Sequence, residues 1–541
     1  MRRRIHLGLP LAVLISVVLL VMLVGGCGST TTTTGAATTT TISSVTTAST
    51  STPATTATTT AAATKAVVVQ GVDPTGMDPA QQRETTTVNV LRHLYDPLLE
   101  RDSADPTKFN GILASSWTQV DPTTVEFKLK TGVKFTGGEP FDAACVKYNI
   151  DRLLGKLPNS KPAILSYQFT TVDSAEVVDA QTVRIKTKAP DPIILSRMTQ
   201  LMMIPTGAVD ATSGALMSVP NGTGPYTLVK WDRNNQVVLQ AKPDYFMGKA
   251  KIDQVVFRTI SEASTRLAEL QAGNVDIITN VPPDNIVEVS SQNKATAKEV
   301  QGARVAAVWF NTLKNPTLAK KEVRQALNYA IDRNLITQTV MSGYGLPVAT
   351  IVPPYFVGYN ADLKPYAYDP QKAKSMLAAA GVPAGFTVEM LLPTGRYLLA
   401  EEVTQEIASE LAKVGVTVKL NAVEFGVFAK QTQARDIPDM MYAAWGSPLF
   451  DPTDMLQTCV QSGTTNFSFY SNPTVDAGIM KAASTVGAEH IQALQDVEKL
   501  VYDDPPFIFL FAQKDLYGVS NRLDWSPRSD ELIYLYNASV K

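Results

Sequence analysis

Gly222-Thr-Gly-Pro-Tyr226, running on through Trp231 to Pro243-Asp-Tyr245, is the stretch from which the rest of the chain is read. Gly222 and Gly224 are expected to supply backbone angles that other residues resist, and Pro225 removes one donor just as the chain becomes extended. Tyr226, Leu228 and Lys230 then run forward, Asn234-Asn235 turns, and Val237 to Leu239 returns. This is the pattern of a β-hairpin.

Working outward to the N-terminus, Arg2, Arg3 and Arg4 precede an apolar run from Leu7 to Val24, followed by Gly25-Gly26-Cys27. A basic start, an apolar core and small residues before a cut site make an export signal, residues 1–26. The cysteine after two small residues looks like a bacterial lipobox, which implies that Cys27 is diacylated and becomes the mature first residue. The competing reading is an uncleaved membrane anchor, since the apolar run is near the length that spans a bilayer. Either way the remainder lies outside the cytoplasm, tethered to the cell membrane. Residues 27–65 are threonine, serine and alanine with almost nothing bulky. Such a segment buries too little apolar surface to repay its ordering and reads as a disordered tether with a reach on the order of 30 Å. Its threonines and serines are also a composition suited to O-linked sugar.

The full chain has 541 residues with 48 basic and 50 acidic side chains. Removing Arg2, Arg3 and Arg4 with the signal leaves 45 against 50, and no basic stripe appears, so nucleic acid is not an expected partner. Cys145 and Cys459 are far apart with no spacing rule between them. They read as separate buried thiols, against the alternative of a disulfide in an oxidising compartment. Only His6, His93 and His490 exist, and His6 leaves with the signal, so direct metal coordination is not expected; a metal carried by its own chelator stays open. Ser291-Gln-Asn-Lys294 and Lys130-Thr-Gly132 fit two motifs of penicillin-recognising enzymes, but in reversed order and without Ser-Asp-Asn. Gly-x-Ser-x-Gly, His-Glu-x-x-His and a phosphate-cradling glycine loop are absent, so the chain does not read as an enzyme and needs no cofactor.

On the C-terminal side helices and strands alternate. Ser264 to Gly273 reads as a helix and Val275 to Ile278 as a strand. Glu322 to Ile336 places Val323, Ala326, Leu327, Ala330 and Ile331 on one helical face. Asp369-Pro370 opens a helix that Gly381 closes. Phe386 to Leu392 is a strand, Leu398 to Val414 a helix ended by Gly415, and Val416 to Leu420 a strand. Such alternation implies an α/β fold with mixed sheets. Leu99 to Lys186 differs, being rich in strand-like runs such as Val125 to Lys130 and Val183 to Lys186.

Together these stretches resemble the family 5 solute-binding proteins of ABC importers, the dipeptide, oligopeptide and nickel binders. The resemblance is carried, in order, by Asp78-Pro79, Leu94-Tyr95-Asp-Pro-Leu98, Trp117, Gly132-Val-Lys-Phe135, Gly138-Glu-Pro140, the Gly222 hairpin, Phe310-Asn311-Thr312, Val323-Arg-Gln-Ala-Leu327, Ala330-Ile-Asp-Arg333 and Tyr368-Asp-Pro370. Ala144-Cys145-Val146 departs by one residue from the usual Ala-Asp-Val. The resemblance implies a two-lobed periplasmic-binding-protein-like fold (type II, cluster C) with mixed sheets. Lobe one would span 66–258, with an inserted β-rich subdomain at about 99–190, lobe two 259–508, and the return to lobe one 509–541. Crossing strands are expected near Phe257 to Ile260 and Phe509 to Ala512. It further implies a monomer that holds a peptide or peptide-like solute between the lobes and delivers it to an ABC permease and ATPase. A non-peptide solute (an opine, a sugar conjugate or a metal chelate) is the alternative.

In open α/β layers ligands gather beyond the carboxyl ends of strands. Arg396 and Tyr397 follow one such strand, and Arg396 suits two-pronged contact with a carboxylate, against the plainer reading of a solvated loop arginine. Trp445, Gly446 and Ser447 follow the Met440 to Ala444 strand, with Trp445 either a flat cleft wall or core. Tyr95, Met77 and Met202-Met203 are candidates for apolar wall in lobe one, with core packing the competing reading for the methionines. Peptide binders of the family place an aspartate three residues after that tryptophan to pair the ligand's ammonium; here the position is Pro448. Asp451 aligns with a later acid whose role is structural.

Overall fold

The computed structural model describes residues 63–541 apart from 83, 104, 106, 211, 212, 218, 219 and 464–466. The signal, Cys27 and nearly all of the tether lie outside the described residues, so the fold has no bearing on the readings made there.

The frame is one large mixed sheet. Its order runs Val416–Glu424, Phe386–Thr394, Met440–Gly446, Ala295–Phe310, Phe507–Ser520, Ile277–Thr279, Lys65–Gln70, Gln254–Thr259, Gln236–Ala241 and Tyr226–Asp232. Gly345–Pro347 adds to Phe507–Ser520 off this path. Two halves of unlike direction meet at the long central pair. Lys65–Gln70 is parallel to Gln254–Thr259 and Ile277–Thr279 in one half. Phe386–Thr394 is parallel to Val416–Glu424 and Met440–Gly446 in the other.

The chain passes between the halves in the two long strands. The first part of Ala295–Phe310 pairs with the end of Phe507–Ser520 and the last part with its start, with a register break between Gln301 and Val305. Gly302 sits at that break because a Cβ there would meet an Asp515 carboxylate oxygen at 2.2 Å. Phe257–Ile260, where the resemblance implies a crossing, lies at the end of the Gln254–Thr259 strand. Val255, Val256 and Phe257 are buried in the first half, and Ile277–Thr279 still pairs with Lys65–Gln70 after them. Phe509–Ala512 lies within the Phe507–Ser520 strand, opposite Val305 to Ala307.

The hairpin of the opening stretch forms as Tyr226–Asp232 against Gln236–Ala241, with Asn234 at φ 59 in the turn. The reason for its glycines is different from the one expected. Neither Gly222 nor Gly224 lies in the left-handed region. A Cβ on Gly222 would meet the Leu94 carbonyl oxygen at 2.1 Å, and one on Gly224 would meet the Leu94 carbonyl carbon at 2.5 Å. The segment presses against the end of the Thr85–Leu94 helix, and the Gly224 N–H donates to the Leu94 carbonyl at 3.0 Å. Thr223 and Tyr245 then both donate to buried Asp96, at 3.0 and 3.2 Å. Two motifs more than a hundred residues apart thus become one packed unit.

The strand-rich segment makes a four-stranded antiparallel sheet of Ala114–Asp121, Thr124–Leu129, Thr182–Thr187 and Val172–Asp179. Its core includes Phe127, Val183, Ile185 and Phe169, and the Ala143–Leu153 helix packs on it. Asp369 caps the Pro370–Ala379 helix by accepting from the Lys372 N–H at 2.8 Å. The helix expected over Glu322–Ile336 is broken. Lys321–Tyr329 ends, and Asp332 starts a new turn by accepting from Leu335 N–H at 3.0 Å while giving its own N–H to Glu410 at 3.0 Å. The apolar face continues across the break, which is why periodicity alone reads it as one helix. Cys145 and Cys459 are buried thiols in different cores, with no disulfide between them.

Candidate functional site

A cavity of about 170 Å³ opens at the carboxyl ends of the Phe386–Thr394 and Met440–Gly446 strands, where the two halves of the molecule face each other. One wall comes from these strand ends and from the Phe425–Gln433 helix. Gly395, at φ 71, turns the chain out of the first strand, and its carbonyl oxygen lies where a Cβ on Gly71 would stand, at 2.0 Å. This close approach leaves Arg396 at the cavity surface. Arg396 is 8 % exposed, its guanidinium 5.2 Å from the Tyr397 ring centre and 5.8 Å from that of Phe425. Its backbone carbonyl accepts from Asn280, but its guanidinium makes no hydrogen bond or ion pair with any described residue. Trp445 stands beside Trp309 and Phe467, with ring centres 6.1 and 6.4 Å away. Phe425, Phe428, Met441 and Pro448 complete a largely apolar surface.

The opposite wall is charged. The Thr85–Leu94 helix supplies Arg92, the Leu99–Arg101 strand supplies Glu100 and Arg101, and a C-terminal segment supplies Arg528, Asp530 and Glu531. Arg304, on the crossing strand, donates to both carboxylate oxygens of Glu531 at 2.9 and 2.7 Å, to the Ala444 carbonyl at 2.7 Å and to Thr85 at 3.3 Å. Arg528 grips Asp530 in the same two-pronged way and reaches Glu100 at 3.1 Å. Arg92 lies 3.5 Å from the other oxygen of Glu100. Arg101 donates to the Leu449 carbonyl at 2.8 Å, which joins the two walls below the cavity.

These pairings set the charges. Burial works against the charge on Arg304, but Glu531 outweighs it and holds the pKa above the ordinary arginine value. Arg396 makes no ion pair with any described residue, and Glu531 and Glu84 only weakly favour its charge. Burial, and then the neighbouring charge of Arg304, pull its pKa below the ordinary value. A buried cation without a partner is one that a bound anion would relieve.

Of the residues singled out from sequence, Arg396, Tyr397, Trp445 and Gly446 line the cavity, as does Met202. Ser447, Tyr95 and Met77 do not. Ser447 is fully buried and donates to Asp454 at 2.7 Å, because the chain turns inward at once after Gly446. Tyr95 is 0 % exposed in the core behind the wall, its hydroxyl donating to the Met77 carbonyl at 3.1 Å. Met77 packs on that same core, and Met203 is buried in that of the four-stranded sheet. Asp451 is turned inward, taking Thr453 N–H at 2.9 Å and His490 at 2.8 Å. His93 is likewise internal. Burial lowers its pKa to about 3, and its ring nitrogens meet the Asn89 carbonyl and the Leu535 N–H.

Sequence reasoning missed the charged wall. A signal existed for part of it: Arg304 is a lone charge in the otherwise apolar run Ala303 to Phe310, and a buried strand does not carry a charge without a partner.

The fold and the cleft agree with what the chain matches. The profile of "Bacterial extracellular solute-binding proteins, family 5 Middle" matches residues 108–467. This chain belongs to that family. Among its curated relatives, the glutathione-binding protein GsiB of Pectobacterium atrosepticum is 28 % identical over 473 residues, covering 85 % of this chain and 90 % of the relative. Solved structures of binding proteins share its fold, among them the following two. The DppA protein from Helicobacter pylori in complex with peptide STSA superposes with TM-score 0.81 at 23 % identity, over 88 % of this chain and 98 % of that one. AgaA from A. tumefacien R10 in complex with agropinic acid gives 0.79 at 24 %, over 88 % and 99 %. This family 5 protein is thus a two-lobed solute-binding protein of the ABC-importer class and not an enzyme. Among the described residues no helix is long and apolar enough to cross a membrane.

Proposed function

We propose that this protein captures a carboxylate-bearing peptide or peptide-like solute between its lobes and delivers it to an ABC permease, held at the membrane by a lipid on Cys27. The observation that carries the solute class is Arg396, a guanidinium more than nine-tenths buried, lining the cavity, with no acid of its own. A carboxylate would take both of its prongs, and lysine could not copy that contact. Tyr397 and Trp445 supply flat surface on the same wall. Glutathione and peptide STSA, named with two similar proteins, are of that class, and agropinic acid, named with a third, shares the carboxylate but belongs to the non-peptide alternative.

Lobe one would comprise the strands around Lys65–Gln70 with the four-stranded sheet, and lobe two those around Phe386–Thr394. A solute that touches both would favour the closed form through its greater affinity for it. Arg396→Ala tests the reading. Calorimetry on the full chain in detergent, with the solute that co-purifies in native mass spectrometry, should show a loss of about 2 kcal/mol in affinity at unchanged melting temperature. Unchanged affinity would remove Arg396 from the site.

A further inference from the structure

The cavity also indicates what the solute lacks. Its described lining carries five arginines (Arg92, Arg101, Arg304, Arg396, Arg528) against four acids (Glu84, Glu100, Asp530, Glu531). Three of the acids have both oxygens turned to guanidinium groups: Glu531 to Arg304, Asp530 to Arg528, and Glu100 to Arg528 and Arg92. Glu84, half-buried just ahead of the Thr85–Leu94 helix, accepts from Thr75 at 3.4 Å. On the apolar wall no acid faces the cavity. Pro448 does, and the next residue's carbonyl is held by the Arg101 guanidinium. Asp451, three residues on, is buried and occupied by Thr453 and His490.

We propose that the solute carries one anionic group on an apolar body and no free ammonium, with Pro448 as the residue that sets this preference. The proposal rests on the reading of Arg396 as the anion site. An ammonium entering beside Pro448 would lose its water, meet no acid on that wall, and lie near the positive charge of Arg101. The same surface suits an acyl or aromatic group, which gives up little on leaving water and packs against Phe425, Phe428 and Trp445. Exclusion of the amine is then as much a part of the specificity as attraction of the acid.

Three probes separate the two claims in calorimetry on the full chain freed of co-purified solute: leucyl-phenylalanine, its N-acetyl derivative, and the methyl ester of that derivative. The acetylated acid should bind at least tenfold more tightly than either of the others. The acid-over-ester preference should vanish in Arg396→Ala. Pro448→Asp should raise the affinity for the free dipeptide about tenfold and leave the acetylated acid no better than before. If the free dipeptide binds as tightly as the acetylated acid, or loses affinity in Glu84→Gln, the proposal falls while Arg396 keeps its role. If acid and ester bind alike, the anion reading falls and takes the proposal with it. Failure of all three to bind, or no gain in Pro448→Asp, also overturns it.

Discussion

The two walls of the cavity are made in opposite ways. One is local: the ends of neighbouring parallel strands bring Arg396, Tyr397, Trp445 and Gly446 together, and an apolar helix covers them. The other is a meeting of the Thr85–Leu94 helix, the Leu99–Arg101 strand and residues 528–532, drawn from opposite ends of the chain. The local wall keeps one cation unpaired and turns it to the cavity. The assembled wall neutralises its own charges in place. The difference teaches where binding and stability reside: an unpaired buried charge is a liability that a ligand relieves, whereas a doubly gripped pair holds the fold.

The sharpest way to break this contrast is at Arg304. Arg304→Ala leaves half-buried Glu531 without its partner and should destabilise the protein by about 3 kcal/mol in denaturant unfolding. The double change with Glu531→Gln should recover part of that loss. If the single change costs nothing, the charged wall is not structural.

Next comes Asp454, on the Thr453–Cys459 helix where it packs against Ile164–Phe169 of the facing half. Burial raises its pKa to about 7, against the pull of the Ser447 hydroxyl and of Arg197. The folded state therefore holds this proton more tightly than the unfolded chain. Its stabilising contribution is complete below about pH 4 and is lost as pH rises through about 7, by a few kcal/mol in all. Asp454→Asn should flatten the fall in stability over that window; an unchanged pH profile would place the titration elsewhere.

Arg396→Ala, by contrast, should cost affinity and not stability, and a fall in melting temperature comparable to that of Arg304→Ala would erase the distinction between the walls. The smallest effect belongs to Tyr95. Tyr95→Phe removes one hydroxyl bonded to the Met77 carbonyl and should cost about 1 kcal/mol of stability with affinity unchanged. A loss of affinity there would return Tyr95 to the cleft.

How much was legible depends on the range over which each feature is set. The helix start at Asp369, its stop at Gly381 and the hairpin turn at Asn234 are local chemistry, and all appear where the residues place them; the Val416–Glu424 strand also forms, though Leu420 at its edge is exposed. So does the local wall, because a strand's end and the loop after it share one short stretch. Ser447 shows the limit of that logic: it lies one residue past Gly446, yet the turn carries it inward to Asp454. Tyr95 and Met77 stand near a wall residue in sequence, but the helix end beside them is sealed by the Gly222 segment.

The amino-acid sequence by itself determined the alternating α/β order, the β-rich insertion and the arginine poised after a strand, since period, caps and turn residues act over a few positions. Only the tertiary structure decided that Gly222 and Gly224 serve close packing, that Ala295–Phe310 and Phe507–Ser520 form the long central pair, and that Arg304 and Arg528 are spoken for while Arg396 is not. Each of these depends on which distant side chain arrives within about 3 Å, where a hydrogen bond or ion pair is made or lost, and that distance is set by the fold as a whole.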